Sequence, residues 1–502
     1  VIDRPTPSSI PDANAGLSAL RSRLLGDTLR YAPAVLVPAA TAVLSVALFT
    51  RLLGAADYGL YSVAAAAVSI TTIVAAEWIG QSVLRYLPGI AEPSRARHLV
   101  GDALGLATAT GLVLVVVAAF VRLAIARDPG AALTALLPPA TALLLAEIAF
   151  AVLGSIMQAR LQSRELSLFR VVGAVLRLGM ALGFVAFVAR DVPSLLAGAA
   201  AGRALAVLGA VPFVARGDGA WARPRFDSHS LRRFLGYGIP MVGWTLASQI
   251  LGLSDRFVIG AFHGTGPVGV YSASYNLVTM GFGLLGGPLL MAAHPLIVGA
   301  WKEGDARAMA GVIRAYSRPY IVAVVPVLVV LVLCSRDIVS VILAGEFREG
   351  SRVVPVLALG SFAWGFAMYG HKGLELAERT RLMFGLVTVC ALLNVVLNLI
   401  FVPRLGYMAA AWTTLVSNAA YPVLVHAVSR RTIPWLIPWE TLARVALAGL
   451  IAGAAGLLAG RAAAGHGFVV HLFAVSLVTF GAYAALVAAW FRTRRGKGAG
   501  NQ

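Results

Sequence analysis

Apolar residues run through this chain in continuous blocks. Fourteen such blocks fall at about 32–53, 58–82, 100–122, 132–155, 166–189, 193–215, 236–261, 269–298, 316–336, 352–371, 382–402, 407–428, 442–461 and 468–491. Each approaches or exceeds the roughly 20 residues that a helix needs to cross a bilayer. Strict alternation, the mark of a membrane barrel strand, is missing from them. Backbone immersed in hydrocarbon must pair its own polar groups, so continuous blocks predict helices. The expected fold is an all-α polytopic membrane protein with about 14 transmembrane helices.

Composition agrees. The chain is 59% hydrophobic and 13% charged, against about 25% charged residues in an ordinary soluble domain. The formal charge is +19, which in a soluble protein suggests nucleic acid. Here the basic residues lie between the apolar blocks, and no nucleic-acid partner is expected. One alternating set of connections, with both termini, holds 29 Lys and Arg, the other set holds 9, and Arg177, Arg203 and Arg256 fall inside blocks. Short basic loops stay cytoplasmic. The expectation is therefore a multi-pass protein of a bacterial inner membrane, both termini cytoplasmic, with the basic tail 492–502 as a topology anchor. Residues 1–30 form a cytoplasmic N-terminus whose Leu17–Arg30 stretch reads as an amphipathic helix on the membrane surface. Cys334 and Cys390 sit in apolar contexts with no metal or disulfide spacing.

The chain repeats itself. Gly54-Ala-Ala-Asp-Tyr-Gly59-Leu-Tyr61-Ser62 aligns with Gly264-Thr-Gly-Pro-Val-Gly269-Val-Tyr271-Ser272 at an offset of 210 residues. Pro193 and Pro403 share that offset and are expected to open the sixth helix of each half. Tyr31/Pro33 and Tyr237/Pro240 are expected to open the first helices, and Pro88 and Pro295 to close the second. Six helices separate the copies, so the halves run parallel about a pseudo-two-fold along the membrane normal. This divides the chain into an N-terminal six-helix bundle (31–215), a cytoplasmic linker (216–235), a C-terminal six-helix bundle (236–428) and two appended helices (429–491). Gly449-x-x-x-Gly453 and Gly456-x-x-x-Gly460 permit close packing of the thirteenth helix.

The run Arg51-Leu-Leu-Gly-Ala-Ala-Asp-Tyr-Gly-Leu-Tyr-Ser62 resembles the opening of polysaccharide biosynthesis flippases of the multidrug/oligosaccharidyl-lipid/polysaccharide (MOP) exporter superfamily. So do Tyr237-Gly-Ile-Pro240, Ser254-Asp-Arg-Phe-Val-Ile-Gly260, Gly269-Val-Tyr-Ser-Ala-Ser-Tyr275, Asn394-Val-Val-Leu-Asn398 and Ala409-Ala-Ala-Trp-Thr-Thr-Leu-Val-Ser417. The resemblance covers roughly residues 17–430. It implies two six-helix bundles forming a V, a central cavity, and export of a polyprenyl-diphosphate-linked oligosaccharide. Membrane lipid and a polysaccharide polymerase or assembly machinery follow as partners, with the chain a monomer.

An ionisable side chain at mid-bilayer costs about 2.5–3.5 kcal/mol and usually faces a cavity or a partner. Glu77, Glu147, Arg177, Arg203, Asp255, Arg256 and His294 hold such positions. Two readings stand. In one, the arginines make a cationic cavity for a diphosphate, since guanidinium holds phosphate oxygens through paired hydrogen bonds. In the other, Glu147 pairs with Arg177 or Arg203, and Asp255 with a neighbouring helix or by orienting Arg256. Tyr271, Tyr275 and Asn276 either meet sugar or pack. Asn394 and Asn398, four apart, share one helix face and read as polar glue. Arg85 and His371-Lys372 read as membrane-edge residues.

The rival within the superfamily is a cation-coupled multidrug exporter, which by resemblance carries an acidic residue in its first bundle. The first helix has none, but Glu77 and Glu147 keep that reading open. A lipid II flippase is the third branch. No P-loop, metal cluster or large external loop favours an enzyme, and no cofactor is expected. Transport must then draw on a proton or sodium gradient, the membrane potential or removal of product.

Overall fold

A computed structural model describes residues 36–125, 132–215, 228–301, 306–431 and 433–499. The expected surface helix at 17–30 and most of the 216–235 linker lie outside the described residues. Everything regular among them is helix: α1 (Leu36–Leu52), α2 (Ala55–Thr72), α3 (Trp78–Tyr86), α4 (Pro93–Ile125), α5 (Ala132–Ala159), α6 (Ser163–Phe187), α7 (Val192–Ala215), α8 (Ser228–His263), α9 (Thr265–Trp301), α10 (Ala306–Leu333), the short α11 (Ser335–Ile342), α12 (Val354–Leu376), α13 (Thr380–Leu405), α14 (Tyr407–Ser429), α15 (Trp439–Ala462) and α16 (Phe468–Ala499). One widened π turn, Ile73–Glu77, joins α2 to α3 into a single rod, and a 3-10 segment, Gly345–Arg352, leads from α11 into α12. With α2–α3 as one rod and α11 set aside, the rods number fourteen. Ten of them are long and apolar enough to span a bilayer by length and composition alone.

The halves are built alike. In the first, α5 packs on α4 and α7, and α7 on α6; in the second, α12 packs on α10 and α14, and α14 on α13. The halves meet where α2 crosses α9 and α3 crosses α8. The α15–α16 hairpin leans on α10, and its glycines explain how. Gly449 and Gly453 face Val325 and Val329 of α10, while Gly456 and Gly460 face Val475 of α16. Large apolar side chains point outward on the peripheral helices, among them Leu112, Val116 and Phe120 on α4 and Leu450, Leu458 and Phe473 on the hairpin. In water such a patch would be a liability; against acyl chains it costs nothing.

Three proline markers of the repeat land differently from expectation. Pro193 does sit in the first turn of α7, but Pro403 lies in the last turn of α13. The break before α14 is made at Gly406, whose φ of 65° a side chain would strain. Pro295 does not end its helix, because α9 runs on to Trp301. Tyr237 and Pro240 lie inside α8, which starts at Ser228, and helix interiors in membranes tolerate proline where neighbours satisfy the freed carbonyl.

Candidate functional site

Close backbone approach sets the charged groups of the first half. Gly198 and Gly202 on α7 lie against the α6 backbone at Met180 and Leu176, where a Cβ would overlap the carbonyls. This brings Arg203 beside Arg177 of α6. Gly173 on α6 leaves room for the Arg203 guanidinium, whose Nη1 would lie 3.0 Å from a Cβ there. Arg203 donates from Nε to Oε1 of Glu147 on α5 at 3.1 Å and lies over the Phe150 ring at 3.9 Å. Arg177 Nε reaches the same oxygen at 3.6 Å. One carboxylate thus serves two guanidiniums. Both internal pairings read from the sequence occur together, and the cluster keeps one positive charge in excess.

Arg177 and Arg203 line a cavity of about 210 Å³ between α1, α2, α6, α7 and α9, and they are its only charged lining residues among those described. Thr41, Ser45, Tyr58, Tyr61 and Asn276 complete its polar wall. A larger cavity, about 440 Å³, opens in the second half between α8, α9, α10, α12 and α14. Its walls carry Trp244, Trp364, Tyr275, Tyr320, Tyr369 and the amides Gln249 and Asn418. Glycines 281, 283, 286 and 287 strip side chains from α9 in the same region; of these, 283, 286 and 287 line the space.

Arg256 stands between the two cavities. It is 3% exposed. Nη1 donates to the Gly252 carbonyl at 2.9 Å, Nη2 donates to Asn276 Oδ1 at 3.0 Å, and the guanidinium stacks 4.9 Å from the Tyr275 ring. Gly252 and Tyr275 line the large cavity, Asn276 the small one. Asn276 in turn donates to the Tyr58 hydroxyl at 3.4 Å, which ties Arg256 to the first half.

Asp255, one residue earlier, faces away from Arg256's partners into a buried cluster. It accepts from the Tyr271 hydroxyl at 2.5 Å, Asn398 Nδ2 at 2.5 Å and Thr414 Oγ1 at 2.8 Å. Asn398 also bonds Asn394 at 3.0 Å and accepts from Thr413 at 2.6 Å, and Ser254 donates to Asn394 at 3.0 Å. The cluster joins α8, α9, α13 and α14. Asp255, Tyr271, Asn394 and Asn398 are wholly buried, so Tyr271 belongs to this cluster and lines neither cavity. The two asparagines act as the polar glue their spacing suggests. Among the described residues the hydrogen-bond partners of Asp255 are neutral donors, which satisfy its buried carboxylate.

Other sequence candidates divide. Glu77 ends the π turn and accepts from Gln81 Nε2 at 2.8 Å, and it lines neither cavity. Arg85 is exposed, as a membrane-edge residue should be. His371 does not end its helix, since α12 continues to Leu376; it is buried, bonds the Tyr421 hydroxyl at 2.7 Å and packs 5.2 Å from the Trp244 ring. The His294 side chain lies outside the described groups. Of the aromatic wall of the large cavity the sequence reading named Tyr275 alone, although the glycine run on α9 was a signal for the rest.

A family model described as polysaccharide biosynthesis protein matches residues 48–352. No curated protein matches the chain. Among solved structures the fold is similar to the lipid II flippase MurJ in an inward closed conformation, with TM-score 0.78, 14% identity, and coverage of 92% of this chain and 99% of that one. It is similar also to an inward-facing multidrug resistance MATE family transporter of the MOP superfamily, with TM-score 0.62, 14% identity, and coverage of 80% and 94%. A MOP superfamily transporter from Pyrococcus furiosus matches with TM-score 0.58 and 13% identity over 80% and 94%. The chain belongs to the polysaccharide biosynthesis protein family, on the helical fold of the flippases and multidrug transporters of the MOP superfamily.

Proposed function

We propose that this protein carries a polyprenyl-diphosphate-linked oligosaccharide from the cytoplasmic to the outer face of a bacterial inner membrane, for surface or exopolysaccharide synthesis. The observation that carries the reading is the pair Arg177 and Arg203 lining one cavity with the single carboxylate Glu147 between them. A cavity with excess positive charge attracts a diphosphate and repels the cationic cargo of a multidrug exporter. The aromatic and amide wall of the larger cavity suits sugar, which presents both C–H faces and hydroxyls. Arg256, in the partition, joins the two compartments. The polyprenyl tail stays in lipid while the head group crosses. Both termini face the cytoplasm, the chain acts as a monomer beside the assembly machinery, and its work is transport and not catalysis.

Asp255 is the group that carries a coupling ion. Its buried carboxylate ties four helices of one half together, so binding or loss of a proton or sodium ion changes how that half packs. A lipid II flippase is the second reading, supported by likeness over nearly the whole of that protein; its cargo shares the polyprenyl diphosphate. The test is a deletion strain whose lipids are extracted and weighed. Accumulation of a polyprenyl-diphosphate glycan with loss of surface polymer supports the proposal, and its mass separates the two cargoes. Unchanged glycolipid with new sensitivity to cationic drugs would favour the exporter.

A further inference from the structure

Outside both cavities, three side chains with metal-binding donors converge. Cys334 closes α10, Asp337 lies in the first turn of α11, and His471 lies in the first turn of α16. His471 Nδ1 and Asp337 Oδ2 are 2.5 Å apart, and one donor atom from each of the three residues lies within 4.8 Å of the others. Among the described residues this is where Cys, His and carboxylate donors gather in threes. Cys334 is fully buried, Asp337 is nearly so, and the His471 side chain is 31% exposed.

We propose that Cys334, Asp337 and His471 bind one zinc ion, which fastens the α15–α16 hairpin to the second half. The donor set is sulfur, nitrogen and oxygen. Zinc accepts all three, whereas magnesium and calcium take oxygen alone. Bonds of about 2.0–2.3 Å to a tetrahedral ion place donors about 3–4 Å from each other, so the His471–Asp337 pair opens by about 1 Å from its 2.5 Å contact while no donor starts more than 4.8 Å from another. Thiolate and carboxylate cancel the ion's two charges, which keeps the cost of burying it low. Three protein donors leave a fourth position for water, and the exposed edge of His471 supplies the entry path. Space for the ring is provided by Gly460 on α15, where a Cβ would come within 2.8 Å of His471 Nε2. An ordinary Asp–His pair accounts for two of these residues and gives no role to the thiol beside them.

The site lies on the face that carries the α1–α2 turn, because α10 and α15 both reach that face. In the proposed orientation that is the outer face, where zinc arrives from outside the cell. The cost of losing the staple falls on the hairpin, since the cavities sit elsewhere.

The experiment uses the full-length protein purified in detergent, incubated with equimolar zinc and desalted. Elemental analysis is expected to give about one zinc per chain. His471→Ala and Cys334→Ser should each weaken zinc retention by more than the roughly 10–100-fold that loss of an outer-shell partner costs, and Cys390→Ser should keep it. Chelator should lower the melting temperature of the wild type and leave that of His471→Ala unchanged. His471 is the exposed member, so its alanine variant keeps the test decisive even if Cys334→Ser misfolds. A wild type that retains no zinc, or a Cys334→Ser variant that retains as much as wild type, overturns the proposal and leaves an Asp–His ion pair alone.

Discussion

Gly59 and Gly269 stand 210 positions apart in sequence and back to back in space. A Cβ on Gly59 would strike the Thr265 carbonyl, and one on Gly269 would strike the Ala55 carbonyl. Ala55 and Thr265 are themselves 210 apart, so each half offers the same small-x-x-x-small ridge to the other. The contact is self-complementary, as a two-fold axis demands. Gly59→Ala or Gly269→Ala should therefore lower stability by about 1–3 kcal/mol through overpacking. Gly266→Ala, where a Cβ meets open space, should be neutral or slightly stabilising. Thermal melting in one detergent checks all three, and a Gly59→Ala protein as stable as Gly266→Ala would refute the backbone crossing.

Glu147 balances two guanidiniums, so removing it harms more than removing either. Glu147→Gln leaves Arg203, with its side chain 11% exposed, facing Arg177 without a counter-charge. The expected loss is about 3 kcal/mol, the low end for breaking a buried pair. Arg177 is 37% exposed and its contact is longer, so Arg177→Ala should cost well under that and still abolish glycolipid export. Melting and export assays on the same preparations separate the effects. An Arg177→Ala protein that is stable and fully active would remove this arginine from substrate binding.

The repeat and the intramembrane charges were legible because both leave local traces: a small-residue turn, and a charge where hydrocarbon forbids one. Both candidate partners of Glu147 were legible too, but not that they pair with it together, because α6 and α7 each place one arginine at reach and only the Gly198/Gly202 seat brings both in. Pro403 misled for a similar reason. A proline marks a helix end only loosely, and Gly406 three residues on makes the actual break. His471 meets Cys334 and Asp337 across more than 130 residues, and no spacing rule spans that distance. The aromatic wall needs four helices at once, and each of them alone reads as an ordinary apolar span.

The α1–α2 turn is latched to the opposite half. Glu346 Oε2 accepts the Ala55 N–H at 2.9 Å, and Arg51 Nη2 donates to the Val341 carbonyl at 2.9 Å. A carboxylate at a helix N-terminus is worth about 0.3–1 kcal/mol. Glu346→Ala should therefore shift the balance between closed and open arrangements about two- to five-fold, and Arg51→Ala should add to it. Spin labels at Asp57→Cys and Arg348→Cys, both exposed positions, report the separation. A longer-distance population is expected in the variants, and identical distributions would show that the latch carries no weight.

Asp255 offers the sharpest separation between structure and mechanism. Both its oxygens accept, from Tyr271, Asn398 and Thr414. Asp255→Asn turns one acceptor into an NH2 group, which faces either the Asn398 amide N–H or the two hydroxyls, which must then rotate to accept. The cluster's hydrogen bonding is weakened either way, at a cost of about 1–3 kcal/mol. Asn394→Ala removes a neighbour of the same cluster and should cost a similar amount, since Asn398 and Ser254 both bond it. Both variants disturb the cluster, and only Asp255→Asn removes the carboxylate. If Asp255 carries the coupling ion, Asp255→Asn loses all dependence of transport on an imposed sodium or proton gradient, while Asn394→Ala keeps that dependence at a reduced rate. Reconstituted vesicles with each gradient imposed in turn give the comparison. Gradient-driven transport surviving in Asp255→Asn would confine the cluster to packing and move the energy source elsewhere.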